Sequence, residues 1–426
     1  MMCLRRHARR WPVVLAALAV AGVLAGCAAS SAPAASGGAG QAAAVSCPAA
    51  ARGKWTAVEP ASPGSRNNDL TGVAVLAAGN AWAVGTDAAD SGGGTLIEHW
   101  NGTAWSVVPS PDPGDGGNFL TAVSALSPSL IWAVGEYESA GQSKTLIAAW
   151  NGTAWHQVAS PSPGPDSYLT GVWAASVNDA WAVGDYDNGP AGRSSLILHW
   201  NGRRWAQVPS PDPGSRTQLY AVTATSAASA WAVGSSGSQQ AAWPFILHWN
   251  GIAWTQASAP HLTGTGGELV GVAATSAANA WAAGDTLDSA GQHTLILHWN
   301  GTAWTRAPSP SPGGPDVDDS LRAMAATSSA SAWAAGYISD GSSYQPLIVH
   351  WNGTAWTSAG DPSPGANGNL AGIASSPAST WTVGQVAGAG DDNAFAVRYC
   401  TRLLAAYWRL MSGTNAGIQS PGSPVK

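Results

Sequence analysis

The chain has 426 residues, only 10% of them charged, with 52 glycines and 28 prolines, so it is long enough for a large core and rich in turn formers. Its formal charge of −6 and its lack of any basic run exclude a nucleic-acid partner, which would need Lys and Arg to neutralise phosphates. No phosphate-binding loop, nucleophile elbow or zinc motif occurs.

Residues 1–26 read as an export signal. Arg5, Arg6, Arg9 and Arg10 precede an apolar run from Pro12 to Leu24 that is short for a permanent membrane helix. Leu24-Ala-Gly-Cys27 resembles the lipobox of bacterial lipoproteins, which implies diacylglycerol on the Cys27 thiol. The chain is thus expected to be exported and held at the extracytoplasmic face of the cell membrane, with the lipid as its membrane contact. Cleavage at an Ala-x-Ala-like site would instead release it, and Arg9-Arg10 leaves the Sec or twin-arginine route open. Residues 27–52 then form an Ala/Ser/Gly tether. Without the four signal arginines, 14 Lys and Arg stand against 24 Asp and Glu, a charge of −10.

From 53 to 400 the chain repeats itself. Trp-Asn-Gly-x-x-Trp opens at Trp100, Trp150, Trp200, Trp249, Trp299 and Trp351, and a period of this size marks a solenoid or propeller. Each copy reads as four short strands, here a to d. In one copy these are Leu120–Leu126, Ile131–Gly135, Thr145–Trp150 and Ala154–Val158, with a polar b–c loop from Glu136 to Lys144. Asn151-Gly152 suits a two-residue type I′ hairpin. That turn would pair Trp100 with Thr103 and place Trp100 and Trp105 as diagonal neighbours on one face. Twenty of the 24 tryptophans fall at repeated positions, the apolar mass needed to pack one sheet on the next.

An unpartnered strand d, Lys54–Val58, opens the region, and an unpartnered strand c, Ala394–Tyr399, closes it. Each completes the other. The expected fold is all-β, a seven-bladed β-propeller of four-stranded antiparallel blades closed by that N-terminal strand. Cys47 and Cys400 flank the two strands, so a disulfide between them is expected to staple the seam. Residues 401–426 contain Leu403–Met411, expected as a short helix or tail. The Ala-Trp-Ala-Val-Gly strands and Trp-Asn-Gly-Thr-Ala-Trp hairpins resemble the Trp/Gly-rich propellers of secreted bacterial proteins, which belong broadly with kelch and galactose-oxidase-like propellers. One glycine after strand b, as at Gly85 or Gly135, departs from the kelch pair.

Strand direction puts the d–a and b–c connections on one rim and the near-identical a–b and c–d turns on the other. Variation gathers on the first rim, which is therefore the expected binding face. Its candidates are Glu136, Tyr137, Glu138, Asp185, Tyr186, Asp187 and the loop residue Trp243, with Asp285 and Tyr337 at comparable places. Carboxylates and aromatic rings together suit a sugar's hydroxyls and faces, or a cation. No catalytic residue and no cofactor are expected, calcium being the one candidate ion, suggested by Asp185–Gly189 and by Asp316-Val-Asp318-Asp319. His99, His199, His248, His298 and His350 precede the strand-c tryptophan and are read as packing residues. The expected role is a monomeric binding or scaffold propeller for an extracellular glycan, cell-wall polymer or protein. The alternative is an exported carbohydrate-active enzyme, glycosidase or lyase, that uses rim carboxylates.

Overall fold

A computed structural model describes residues 47, 51–61, 67–87, 93–238, 241–314, 317–360, 367–388 and 392–401. The signal, Cys27, Asp316 and the C-terminal 402–426 lie outside the described residues. The described chain is all-β, with 28 strands in four-stranded antiparallel sheets. One parallel bridge, Arg193 to Arg216, joins two neighbouring sheets edge to edge. In every sheet but the last the strands pair in chain order, as in Asn118–Ser127, Leu130–Ser139, Gln142–Trp150 and Trp155–Gln157. This is the arrangement of a β-propeller.

Two turns differ from expectation. The polar segment from Glu136 to Lys144 is strand on both arms, and its turn is Ala140-Gly141, with φ of 53° and 72°. Two positive φ values are what a type I′ turn needs. The Asn-Gly turns are not of that type, because only the glycine has positive φ, 101° at Gly102. Asn101 Oδ1 instead accepts from the Thr103 N–H (3.0 Å), the Thr103 hydroxyl (2.7 Å) and the Ala104 N–H (3.1 Å). The side chain thus stands in for a backbone acceptor, an Asx-turn. That lengthens the connection to four residues and sets Trp100 directly opposite Trp105.

Those tryptophans join the sheets. The strand-b Trp of one sheet meets the strand-c and strand-d Trp of the next, as where Trp181 lies 5.0 Å from Trp249 and 5.1 Å from Trp254. Edge-on contacts at this spacing add attraction beyond burial. The strand-c indole also donates to a carbonyl of the a–b turn, Trp249 to Ala227 O at 3.0 Å. On the other side of the strand-b Trp sits the repeated histidine, with His248 4.2 Å from Trp231 and its pKa lowered by burial. The glycine that ends the shared Trp-x-x-Gly pattern has its own cause. A Cβ on Gly234 would enter the Gln218 carbonyl of the adjacent strand a.

The same packing continues from the last sheet to the first, where Trp381 lies 5.1 Å from Trp100 and 5.0 Å from Trp105. The last sheet takes its outer strand, Trp55–Ala57, from the start of the chain, with Trp55 opposite Tyr399. Cys47 and Cys400 form a disulfide across 353 residues of chain.

Candidate functional site

The innermost strand of each sheet carries a Leu followed by a variable residue. In three successive sheets that residue is Thr, and its hydroxyl donates to the Leu carbonyl of the next sheet. Thr71 reaches Leu120 O at 2.7 Å, Thr121 reaches Leu169 O at 2.7 Å, and Thr170 reaches Leu219 O at 2.6 Å. Each also bonds its own sheet's strand b. These threonines lace neighbouring inner strands together. In the following sheets the same position holds Tyr220, Val270, Arg322 and Ala371, and the lacing stops.

At this level a cavity of 660 Å³ opens, lined by the lacing Thr121 and Thr170 as well as by the residues that replace them. Tyr220, Arg322, Tyr337, Tyr344, Asn369, Gln385 and Asp392 are among its lining residues. It continues past Tyr220, Val270 and Arg322 into a narrower channel between the inner strands. Trp173, 36% exposed, stands in that channel on a column otherwise made of Ala, Ser and Thr.

The charged groups at this level are mutually held. Arg322 donates to Glu268 at 3.0 Å and to the Tyr337 hydroxyl at 2.9 Å, and its guanidinium lies 5.3 Å from the Tyr337 ring. Asp285 accepts from the Ser320 hydroxyl at 2.7 Å, and burial pushes its pKa up to about 6. The Tyr220 hydroxyl is 3.4 Å from Ser235, and burial raises its pKa to about 12, with the Glu268 charge adding to the rise. Such a site offers fixed polar groups and aromatic faces.

Of the residues singled out in the sequence, Tyr337 lines this cavity and Asp285 sits beside it, whereas the seven main candidates fall in earlier sheets. None of the seven lines the 660 Å³ cavity. Asp185 is 2% exposed, pairs with Arg193 at 2.8 Å and accepts from Gln218 at 3.3 Å. Burial raises its pKa despite Arg193. Arg193 also lies 4.6 Å from the Tyr168 ring. Glu136 is half-buried, and burial lifts its pKa to about 7 against the lowering effect of a Ser143 hydrogen bond. Tyr137 and Tyr186 pack against the intersheet core. Glu138 is exposed, and Asp187 accepts from the Gly189 N–H at 2.8 Å. Trp243 is 38% exposed and belongs to strand Ala242–Trp249, not to a loop. Among the described residues no group of three or more His, Cys, Asp or Glu is placed to hold a metal ion.

Arg322, Tyr220, Tyr344, Asn369, Gln385 and Asp392 did not stand out in the sequence. The signal that would have found Tyr220 and Arg322 is the residue after Leu on strand a, where Thr gives way to larger or apolar types; the other four carry no such mark. Read as strand residues alone they look unremarkable.

No family model and no curated protein matches the chain. Among solved structures it is similar to YCF48 bound to D1 peptide, with 14% identity over 82% of this chain and 95% of that one, at a TM-score of 0.52. YCF48 from Cyanidioschyzon merolae aligns with 15% identity over 81% and 98% of the two chains, at 0.50. An ulvan lyase, a polysaccharide lyase bound to -[GlcA(1-4)Rha3S]-, aligns at 11% identity over 84% and 97%, with a TM-score of 0.47. At these identities the likeness concerns the fold alone.

Proposed function

We propose that the chain is an exported seven-bladed ring that binds an extracellular glycan, cell-wall polymer or protein at the mouth of its axial channel without transforming it. Ring closure is supported by the Trp381 contacts to Trp100 and Trp105 and by the N-terminal strand on the last sheet. The observation that carries the binding reading is the 660 Å³ cavity at the end of the channel, around which the residue after the strand-a Leu changes from Thr121 and Thr170 to Tyr220, Val270, Arg322 and Ala371. Blade packing calls for sameness, and here sameness ends. Beside the mouth Arg322 and Glu268 neutralise each other and Asp285 is fixed by the Ser320 hydroxyl, which suits recognition.

Tyr344 is 43% exposed at the mouth and touches Tyr337 edge-on at 5.2 Å. Tyr344→Ala is expected to weaken retention of ligands recovered from a glycan and cell-wall polymer array about tenfold, ~1.4 kcal/mol. Its melting temperature should stay within a degree or so of the parent, since an exposed side chain contributes little packing. Unchanged binding would move the site away from the mouth. One observation favours a catalytic alternative: Glu136 keeps its proton to about 7 and feels the charge of Asp185. Turnover on the same array, lost in Glu136→Gln, would establish it.

The anchor is part of the same reading. Cys27→Ser is expected to abolish labelling by radioactive palmitate and to release the protein from washed membranes, because the thiol of Leu24-Ala-Gly-Cys27 would take, as a thioether, the diacylglyceryl group that carries the labelled acyl chains. Membrane retention without label would point to an uncleaved signal instead.

A further inference from the structure

The channel behind the mouth has a volume of 320 Å³ and is walled by residues of seven inner strands. Opposite each strand-b tryptophan the inner strand carries a small residue, Ala74, Ser124, Thr223, Ala273, Ala325 or Ala374, except in one sheet, where Trp173 faces Trp181. A tryptophan that served to fill space would be sealed by its neighbours. Trp173 is instead 36% exposed and belongs to neither apolar cluster that flanks its sheet. The six strand-c indoles each donate to a carbonyl of an a–b turn. No acceptor among the described residues takes the indole N–H of Trp173, so both its ring and its donor are open to the channel.

We infer that Trp173 is the inner subsite of the mouth, where the terminal ring of a neutral, unbranched glycan stacks after the chain enters the channel end-on. This rests on the mouth being the binding site. The two spaces are continuous, because Thr121, Thr170, Tyr220, Val270, Arg322 and Ala371 line both. Thr170 stands at the mouth, and Trp173 follows it on the strand Ser167–Ser176, about 10 Å deeper at strand rise. Inner strands wall the channel on every side, so a chain lying across the mouth does not reach this ring and a chain end does. Three features select a neutral glycan. Tyr337 and Tyr344 at the mouth and Trp173 below offer aromatic faces in series, with the amides of Asn369 and Gln385 beside them, a mixture that suits rings edged with hydroxyls. Arg322, the one cation lining either space among the described residues, is paired with Glu268 and leaves no free charge for an acidic sugar. An extended peptide would need partners for its own backbone. The leucines of the inner strands are at most 1% exposed, which closes that backbone to it.

The test uses detergent-solubilised full-length protein and neutral malto-, cello-, xylo- and chito-oligosaccharides of one to six rings, titrated by calorimetry. At least one series is expected to bind, with affinity climbing as the chain lengthens until its end reaches Trp173, and with one protein per chain at every length. Trp173→Ala should weaken the longest member about tenfold and leave the shortest binding member unchanged, whereas Tyr344→Ala should weaken every length. A second measurement needs no variant. Tryptophan oxidation by N-bromosuccinimide, read by peptide mass spectrometry, is compared with and without the longest member bound. Trp173 should be protected and Trp243 should not, since Trp243 is similarly exposed at 38% and lines neither space. Should Trp173→Ala fail to fold, this protection decides. Oxidation of Trp173 at an unchanged rate in the complex, full affinity of the longest member for Trp173→Ala, or several proteins bound per chain overturns the inference. If Tyr344→Ala still weakens binding in that event, the mouth remains the site and only the inner subsite falls. If neither variant changes affinity, the mouth reading falls with it. Failure of every oligosaccharide to bind overturns the glycan class and leaves the mouth to be tested with peptides.

Discussion

Removal of residues 47–58 is expected to unfold the protein or drive it into oligomers. That segment carries the strand Trp55–Ala57, which covers the outer edge of Asp392–Cys400. It also carries Trp55, whose ring meets Trp333 edge-on at 5.4 Å, and Cys47 of the disulfide to Cys400. Without it, the last sheet presents an unpaired strand edge beside an indole-lined face, a template for a second chain. The cross-link alone closes 353 residues of chain, worth about 3–5 kcal/mol on the chain-entropy view. Size-exclusion chromatography and calorimetry on the truncated chain should show aggregates or a melting transition lowered by many degrees. A monomer that melts like the parent would mean that the seam is not closed by this strand. Cys400→Ser, with the strand kept, separates the two contributions and should cost only the cross-link share.

The comparison of sequence with structure divides along the length scale of the interactions. Strand order, the tryptophan faces and the seam partners were legible because each rests on a pattern repeated in the chain. Trp82, Trp132 and Trp181 could be matched by eye, and Cys47 and Cys400 flank the only two unpartnered strands. The Asn-Gly hairpin departs from the type I′ expectation because φ at Asn101 depends on which acceptor satisfies Thr103 and Ala104, and the asparagine side chain does so in place of the backbone. Glu136 to Lys144 reads as loop by polarity, yet the arms pair up to Ser139 and Gln142 because the sheet extends beyond the packed core. The mouth is harder still. Val270 and Ala371 draw attention only once it is known what Thr170 does, and that bond crosses from one sheet to the next. A cavity lined by single residues from several sheets has no motif.

Glu98→Gln is expected to stabilise the protein by about 3 kcal/mol at pH 8 and to change nothing at pH 4. Glu98 is fully buried on strand Gly94–Trp100, where the other sheets carry Ala148, Leu198, Leu247, Leu297, Val349 and Val397. One carboxyl oxygen accepts from the Ala61 N–H at 3.1 Å, and the other has no hydrogen-bond partner among the described residues. Burial raises its pKa from 4.5 to about 7, the Ala61 bond opposing only in part. The folded state therefore holds this proton more tightly than the unfolded chain does. Below the unfolded pKa both states are protonated and the group costs nothing as a charge. As pH climbs from about 4.5 to about 7, the unfolded chain gives up its proton and the folded protein does not, so stability falls by ~1.4 kcal/mol per unit and then levels. Glutamine keeps the acceptor for Ala61 and, like the protonated acid, leaves a donor unmet, so it mimics the low-pH state at every pH. Denaturant melts of both proteins at pH 4 and pH 8 isolate this group from Glu136 and Asp285, whose burial also raises their pKa values. A gain of the same size at both pH values would mean that glutamine repairs packing rather than charge, and no gain at pH 8 would mean that Glu98 ionises in the fold without penalty.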